Sequence, residues 1–282
     1  MPNLATSRAI VWRRLAALRR RVAPRPRPGA AAAPVAPGAA RATAGGPAAT
    51  PTPLVVDYFG RDGSTALLRL LASSPDVHVE GRYPYEAEDL KAVLATTDPT
   101  AAWRELCAAR FGGGAPPRWF AEKMIDARKA DLAPFPQARV IALLRDPRDT
   151  WVSVEAFSRA VGPGEIGGSG TRAERLERFV ERQRERLAWI ETFAGEDGPL
   201  VVRYERLVDD LSAVAAEVGG WLGVKLDPAG VSGDFRLRWV HGTSRDPASS
   251  VGRWRDELGA PDLAVLRAGL EEPMRRAGYA GW

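Results

Sequence analysis

The sequence is poor in the residues that build disulfides and metal sites. Among 282 residues there is one cysteine, Cys107, and there are two histidines, His78 and His241. A single cysteine excludes an internal disulfide, and two histidines so far apart in sequence do not suggest a histidine-built metal site. No apolar run approaches the ~20 residues that span a bilayer. We therefore expect a cytoplasmic protein that holds no metal and has no transmembrane helix.

Acidic side chains are missing from residues 1–53, which contain nine arginines and carry +9. The rest of the chain contains 31 basic and 35 acidic side chains, so the net charge of +5 comes from the tail. Residues 23–53 are mainly alanine, proline and glycine, and such a segment cannot bury enough apolar surface to fold. We expect a disordered basic tail over residues 1–53 and one folded domain over 54–282. The mildly acidic body argues against a nucleic acid partner.

Residues 8–22 place apolar side chains near one helical face, with arginines around them. A short basic amphipathic helix can lie on an anionic membrane surface. The same residues equally suit a solvated leader, so weak membrane contact through this segment and a purely soluble tail are both compatible with the sequence. The sequence does not indicate an oligomeric state.

Buried strands alternate with helices from residue 54 onward. The pattern predicts strands over 54–59, 77–79, 118–124, 139–144 and 199–204. It predicts helices over 65–72, from 147, and over 171–193, 210–222 and 262–277, with Pro273 as a kink or break in the last. This alternation indicates a three-layer α/β fold with a central parallel sheet.

The first stretch with chemical content is FGRDGSTALLRLL, residues 59–71. A strand runs through Gly60 to Thr65 directly into a helix, and such a turn can bind an anion through its backbone N–H groups, hydroxyls and the helix dipole. Arg61 adds a full positive charge. No Gly-Lys-Ser/Thr tripeptide closes the turn, so it is not a Walker A loop. An ordinary capped turn between strand and helix is the alternative interpretation.

The second stretch is VIALLRDPRDTWVSVEAF, residues 140–157. A buried strand ends at Arg145, and a helix that begins at Pro147 carries Ser153 on its second turn. Ligands of open α/β sheets bind at the carboxyl ends of the strands. An arginine fork and a serine hydroxyl at this place can together hold a phosphate.

In combination, these motifs resemble those of the sulfotransferases that use 3′-phosphoadenosine 5′-phosphosulfate (PAPS). Arg61 and Arg145 are 84 residues apart, and Ser153 stands eight positions after Arg145. LASSPDVHV (71–79), RYERLVDD (203–210) and SSVGRWRDEL (249–258) are similar to further family segments in the same order. The resemblance covers about residues 54–279 and is better to the bacterial and Golgi-type branches than to the small-phenol enzymes.

The resemblance implies a P-loop-like nucleotide-binding topology for this fold and a role for each matching position, with PAPS as sulfonate donor and without a metal. The residues that would hold the 5′-phosphosulfate are Arg61, Gly63, Ser64 and Thr65. Arg145 and Ser153 would hold the 3′-phosphate, Tyr204 would approach the adenine, and Arg253 would add a contact from a late loop. Arg61 would also neutralise charge on the leaving phosphate oxygen, and Lys123 would lie near the transferred sulfonate.

A base must accept the proton of the acceptor hydroxyl or amine. Golgi-type members use a glutamate shortly after the first phosphate loop, so Glu86, which follows Tyr83-Pro84-Tyr85, is the first candidate and Glu80 the second. His78 lies inside an apolar alternation and is more typical of a packing residue. A solvated surface acid remains the alternative for each glutamate, as does a simple ion pair between Glu122 and Lys123.

The sequence departs from the family pattern at two positions. Asp62 replaces a common serine and puts an acid beside the anion site, unless it points away or caps the helix. Ala66 replaces a tryptophan that stacks on adenine in cytosolic members. The other functions to be tested are a P-loop-type small-molecule kinase, a membrane-tethered module without catalysis, and an inactive sulfotransferase fold. The acceptor, carbohydrate or another metabolite, is not indicated by the sequence.

Overall fold

The structure, a computed structural model, describes residues 50–79, 89–112, 115–125, 132–161, 169–192, 198–232, 246–279 and 281–282. Residues 1–49 of the predicted tail lie outside the described residues. The first strand begins at Thr52, two residues before the predicted start of the domain. In the described part of the chain, no helix combines the length and apolar character needed to cross a membrane.

Five parallel strands form one sheet. They are β1 (Thr52–Tyr58), β2 (Val77–Val79), β3 (Trp119–Ile125), β4 (Arg139–Leu144) and β5 (Leu200–Arg203). The order across the sheet is β2-β3-β1-β4-β5, and every adjacent pair is parallel. The predicted parallel α/β fold is therefore confirmed. Because β1 lies at the centre, with chain crossing to β3 on one side and β4 on the other, a crevice is expected at its carboxyl end.

The helices up to residue 222 are α1 (Ser64–Ala72), α2 (Asp89–Leu94), α3 (Pro99–Phe111), α4 (Pro147–Val161), α5 (Arg172–Thr192), α6 (Tyr204–Asp209) and α7 (Leu211–Leu222). They are followed by α8 (Ala229–Ser232), a 3-10 turn (Ala248–Ser250), α9 (Trp254–Glu257) and α10 (Ala260–Arg276). The predicted helices all lie within one or two residues of observed ones. The helix α10 continues through Pro273 and ends at Arg276, so a helix break at Pro273 is wrong.

Helices cover both faces of the sheet, which gives the three predicted layers. On one face, Leu54 and Val56 of β1 pack with α1, α6 and α7. On the other face, Ala142 and Leu144 of β4 pack with α4, α5 and α10, while Val55 packs with α2 and α3. Strands that are buried on both faces read as continuous apolar runs, which is why β1 and β4 were readable from the sequence.

Candidate anion site at the carboxyl ends of β1 and β4

Two predicted motifs meet because their strands are neighbours. β1 and β4 pair in parallel, with Val56 opposite Ile141 and Asp57 opposite Ala142. Their carboxyl ends therefore open at the same edge of the sheet, one into residues 59–63 and the other into Arg145 and α4. Residues that are 84 positions apart in sequence are brought into direct contact at this edge.

The loop Gly60–Gly63, called the phosphate-binding loop below after its predicted role, has an unusual backbone. Gly60, Arg61 and Gly63 have φ values of 62°, 71° and 96°. Among the described residues, Arg61 is the one non-glycine residue with positive φ. Such conformations cost free energy and occur mainly where the surrounding structure enforces them, often at functional sites. Backbone N–H groups in turns of this kind can form an anion-binding concavity.

Gly63 has a second reason to be glycine. A Cβ at this position would overlap the ring of Tyr204, with Cε2 only 2.6 Å away. Tyr204 is the first residue of α6, and its hydroxyl forms a 2.8 Å hydrogen bond with the Ser250 hydroxyl. The close approach of the tyrosine ring to the loop backbone therefore depends on both the left-handed conformation and the missing side chain.

Arg61 and Ser153 connect the two motifs through their side chains. Arg61 Nε donates to Ser153 Oγ over 3.3 Å, and the Arg61 guanidinium lies 4.7 Å from the ring centre of Phe157, one turn further along α4. Ser153 is 1% exposed. Ser64 and Thr65 follow in the first turn of α1, where the helix dipole favours an anion.

Arg145 joins the loop to a later segment of the chain. It donates from Nη1 to the Arg61 carbonyl over 2.7 Å and from Nη2 to the Ser250 carbonyl over 2.6 Å. Its guanidinium carbon lies 4.6 Å from the centre of the Tyr204 ring. Arg145 Nε is buried and has no hydrogen-bond partner. A buried N–H donor of a cation without an acceptor is the kind of group that an anionic ligand satisfies.

Asp149 anchors the late segment, and sequence reasoning missed it. Its carboxylate accepts hydrogen bonds from the N–H groups of Gly252 (2.6 Å) and Trp254 (3.0 Å). Burial raises the pKa of Asp149, and the two backbone donors oppose that rise. Asp149 is the second acid of Arg-Asp-Pro-Arg-Asp, so the motif itself was a signal. Ser250, which links Arg145 and Tyr204, was missed too although it lies in SSVGRWRDEL.

Arg253 lies on this anchored segment, just before α9. It donates from Nε and Nη2 to the Glu257 carboxylate over 2.7 and 3.1 Å. Arg148, in the Arg-Asp-Pro-Arg-Asp motif, is enclosed by the rings of Trp254 and Trp282, 3.9 and 4.9 Å from its guanidinium carbon. The turn after β4 is therefore held on several sides by the C-terminal part of the chain.

Asp62 points away from the anion side of the loop. Its Oδ2 accepts from the Phe59 N–H over 2.7 Å, and Arg186 Nη1 of α5 lies 3.5 Å from the same oxygen. Burial raises the pKa of this carboxyl, while the Arg186 charge lowers it. The acid that departs from the family pattern thus has a buried cation of its own. Arg186 was missed because it lies in a helix of alternating charges that resembles a solvated surface.

Lys123 and Glu122 are neighbours in β3, where successive side chains point to opposite faces of the sheet. Lys123 Nζ lies 5.1 Å from the ring centre of Tyr58, at the carboxyl end of β1. Glu122 is buried, and its Oε2 accepts from the Leu90 N–H at the start of α2. His78 packs edge-on against the rings of Phe111 and Phe120. Glu80 and Glu86 lie outside the described residues.

The cations and hydrogen-bond donors gathered here fit a ligand with two anionic groups. Arg61 and Arg145 supply two guanidinium groups, Ser153 supplies a hydroxyl, and the strained loop supplies backbone donors at the start of α1. The acid nearest to the loop, Asp62, is directed inward to Phe59 and Arg186. These residues are compatible with adenosine 3′,5′-bisphosphate (PAP), which carries one phosphate at each end of its ribose.

Solved structures with a similar fold include sulfotransferases. The sulfotransferase domain of the Synechococcus olefin synthase is 20% identical, with a TM-score of 0.54 over 83% of this chain and 97% of that chain. A mouse sulfotransferase complexed with PAP is 15% identical, with a TM-score of 0.53 over 81% and 86%. The sulfotransferase domain from the curacin biosynthetic pathway is 16% identical, with a TM-score of 0.50 over 82% and 98%.

Comparison at the level of sequence gives a family assignment. No curated protein matches the sequence significantly. The sequence profile of the sulfotransferase family, however, matches residues 58–228, which is more than half of the chain and contains both Arg61 and Arg145. With the motifs, the parallel sheet and the fold comparison in agreement, this chain belongs to the sulfotransferase family.

Proposed function

We propose that this protein transfers a sulfonate group from PAPS to a hydroxyl or amine of a small-molecule or carbohydrate acceptor. The observation that carries the proposal is the convergence of the two motifs. Arg61 Nε donates to Ser153 Oγ, and Arg145 donates to the Arg61 carbonyl, although the two arginines are far apart in sequence. A kinase-type phosphate loop has no use for this second arginine and serine.

Different residues of the site are proposed to bind the two ends of PAPS. Gly63, Ser64 and Thr65, together with Arg61, are proposed to hold the 5′-phosphosulfate, with Arg61 neutralising charge on the departing phosphate oxygen. When bound, PAPS supplies an activated sulfonate, and the chain has to position and neutralise rather than to form a covalent intermediate. The 3′-phosphate is proposed to contact Ser153 and the unpartnered Nε of Arg145.

The adenine side of the site is proposed to involve Tyr204 and Arg253. Ala66 removes the stacking tryptophan of cytosolic members, and Tyr204 is the aromatic side chain that the structure fixes beside the loop, through Gly63, Arg145 and Ser250. Arg253 is proposed to exchange its hydrogen bonds to Glu257 for a contact with the nucleotide. The anchor at Asp149 keeps this segment next to Arg145.

The acceptor is proposed to approach at the carboxyl ends of β1 and β3. Lys123 and Tyr58 lie there in contact with each other, and their strands pair in parallel up to Tyr58 and Ile125. A retinol dehydratase of this fold, 16% identical with a TM-score of 0.50, has been solved in complex with retinol and PAP. A small-molecule alcohol is therefore a suitable first class of acceptor to test.

The donor assignment is tested with nucleotides that differ by one phosphate. Affinities for PAP and for adenosine 5′-monophosphate are measured by calorimetry on the wild type, Arg145→Ala, Ser153→Ala and the exposed control Arg267→Ala. Hydrogen bonds to charged groups are worth about 1.5–3 kcal/mol, so we expect Arg145→Ala to lose PAP affinity by about ten- to a hundredfold and to bind the monophosphate nearly as before. Arg267→Ala should match the wild type.

The opposite result identifies the competing function. Stabilisation of the wild type by ATP with Mg²⁺ but not by PAP would contradict the proposal and favour a kinase. Arg61→Ala should reduce sulfonate transfer more than PAP affinity, because the Arg61 charge is needed most when the phosphate leaves. If both arginine variants transfer sulfonate like the wild type, the site is assigned to the wrong residues.

The base is tested separately with Glu86→Gln and Glu80→Gln. Each variant keeps the size of the side chain and removes its ability to accept a proton. We expect Glu86→Gln to lower turnover by about 10²–10⁴-fold with little change in PAP affinity, since a positioned general base contributes this much. Glu80→Gln should retain turnover. The reverse pattern would assign the role to Glu80.

A further inference from the structure

Arg186 occupies a buried position directly behind the phosphate-binding loop. It belongs to α5, and it is 4% exposed, while Asp57 and Asp62 are 0% and 1% exposed. Two arginine nitrogens, Nε and Nη2, donate to Asp57 Oδ2 over 3.2 and 2.8 Å. Nη1 lies 3.5 Å from Asp62 Oδ2. A cation and two carboxylates are thus enclosed together beneath a site that is built for anions.

The same guanidinium also binds the backbone of both strands that end at the site. Nη2 donates to the Asp57 carbonyl of β1 over 3.2 Å and to the Leu143 carbonyl of β4 over 2.8 Å. Two residues after Leu143 the chain reaches Arg145, and four residues after Asp57 it reaches Arg61. One side chain therefore fixes the spacing of the two strand ends from which both arginines of the donor site leave.

Asp62 carries this constraint into the loop. Its Oδ2 accepts from the Phe59 N–H over 2.7 Å, across the turn that contains the positive φ angles of Gly60 and Arg61. A strained turn keeps its shape only when its surroundings hold it. Burial raises the pKa of Asp62 while the Arg186 charge lowers it, so the arginine also favours the charged carboxylate that binds Phe59.

We propose that Arg186 is a positioning residue for sulfonate transfer: paired with Asp57 and Asp62, it holds the phosphate-binding loop in the conformation that directs Arg61 toward Ser153. The inference rests on the proposed function, because the benefit of a fixed Arg61 is realised on the donor. Arg186 acts through Asp62 and the strand ends and does not itself touch the nucleotide. It also explains how an acid is tolerated at position 62, where the family commonly has serine.

The first test replaces the guanidinium fork with a single ammonium group. Arg186→Lys keeps the charge but cannot reach Asp57, Asp62 and the Leu143 carbonyl at once. The matched control is Arg184→Lys, the same change two residues earlier on the same helix at an exposed position. Amide hydrogen exchange of residues 59–65 is measured without nucleotide, together with thermal stability, PAP affinity and turnover.

We expect Arg186→Lys to speed exchange in residues 59–65 and to weaken PAP binding by about tenfold, within the range of couplings between contacting residues. Arg184→Lys should change neither. Most of the effect should pass through Asp62 and the rest through the strand ends, so in an Asp62→Asn background the further change in PAP affinity from Arg186→Lys should shrink to about threefold or less. Asp62→Asn leaves the Asp57–Arg186 pair in place and serves as the test variant if Arg186→Lys does not fold.

A purely structural role gives a different result. If Arg186→Lys lowers thermal stability but leaves loop exchange and PAP affinity unchanged, or weakens PAP equally in both backgrounds, the inference is overturned. With Asp62→Asn alone, unchanged loop exchange overturns it as well. If the wild type neither binds PAP nor transfers sulfonate, the proposed function fails instead, and the exchange measurement still decides whether Arg186 orders the loop.

Discussion

At the scale of single residues, the proposed donor site depends on positions where the backbone is in a conformation that side chains disfavour. Arg61 has φ of 71°, which directs its carbonyl to Arg145 and its side chain to Ser153. Gly63 has φ of 96° and meets the ring of Tyr204. The sequence predicted these residues as an anion site. The ring contact with Gly63 could not be read from it, because Tyr204 comes from a distant segment.

Gly63→Ala should therefore cost more than an ordinary glycine replacement. A left-handed residue with a Cβ costs about 1–2 kcal/mol, and overlap with a packed ring adds about 1–3 kcal/mol. Gly223→Ala is the control, because Gly223 is left-handed too (φ 68°) and its new Cβ would meet the movable end of Arg118. Urea unfolding should show the larger loss for Gly63→Ala, accompanied by weaker PAP binding. Equal losses would contradict the ring contact.

At the scale of elements, the segment from the 3-10 turn to α9 is held in place by α4. Asp149 of α4 accepts from the Gly252 and Trp254 N–H groups, and Arg145 binds the Ser250 carbonyl. The Arg-Asp-Pro-Arg-Asp motif thus partly serves to fix a second segment, while its first arginine is proposed to bind the nucleotide. This division of labour within one motif was not predictable, because the partners are backbone groups about 100 residues away.

Asp149→Ala should release this segment and weaken PAP binding by roughly tenfold, since buried hydrogen bonds to a charged group are lost. Asp98→Ala is the matched control: Asp98 is exposed and caps α3 by accepting from the Ala101 N–H at 2.9 Å, and α3 contributes no residue to the proposed site. It should cost about 1 kcal/mol of stability and leave affinity unchanged. Calorimetry with PAP and urea unfolding separate the two effects. Equal affinity losses in both variants would contradict the anchor.

Stability should also depend on pH through Asp149. Burial raises its pKa above the usual range in the folded protein, so the native state holds the proton more tightly than the unfolded chain. The wild type should accordingly lose stability relative to Asp149→Asn as pH rises from about 4 through the raised pKa, by at most about 1.4 kcal/mol per pH unit. Urea midpoints across this range measure the difference. A wild type that gains stability relative to Asp149→Asn as pH rises would contradict the predicted sign.

The sequence predicted the five strands and five of the ten described helices because their apolar patterns are strong, and the longest helix that it missed is α3. In α3 only Trp103 and Cys107 are buried, so no continuous apolar stripe marks the helix. Its start carried a local signal, however. Asp98 accepts from the Ala101 N–H and is followed by Pro99 at the first helical position, which is a typical helix beginning.

At the scale of the whole molecule, charge is distributed unevenly along the chain. All nine arginines of residues 1–53 lie before residue 50, so residues 50–282 carry a net charge of −4. The proposed donor site consists of a few placed cations within this acidic body, not of a broad basic surface. Binding of the nucleotide should therefore be independent of the tail, whereas binding to extended polyanions should depend on it.

Deletion of residues 1–49 tests this separation. PAP affinity should stay within about twofold of the full chain, because Arg61 and Arg145 keep their contacts, while retention on heparin and on vesicles with anionic lipid should fall sharply and lose its salt dependence. Loss of PAP affinity would contradict a donor site formed by the body alone. Unchanged vesicle binding would exclude the 8–22 segment as the membrane contact.

The enclosed cluster of Asp57, Arg186 and Asp62 has a consequence for which residues can occur together in related sequences. Serine at position 62 needs no buried cation, whereas an aspartate enclosed there needs a counter-charge, which Arg186 supplies in addition to pairing with Asp57. A change at one position should therefore be followed by a change at the other, since residues in contact constrain each other's replacement. Across related sequences, aspartate at 62 should occur together with arginine at 186, and this pairing would mark a branch in which the loop is held from behind.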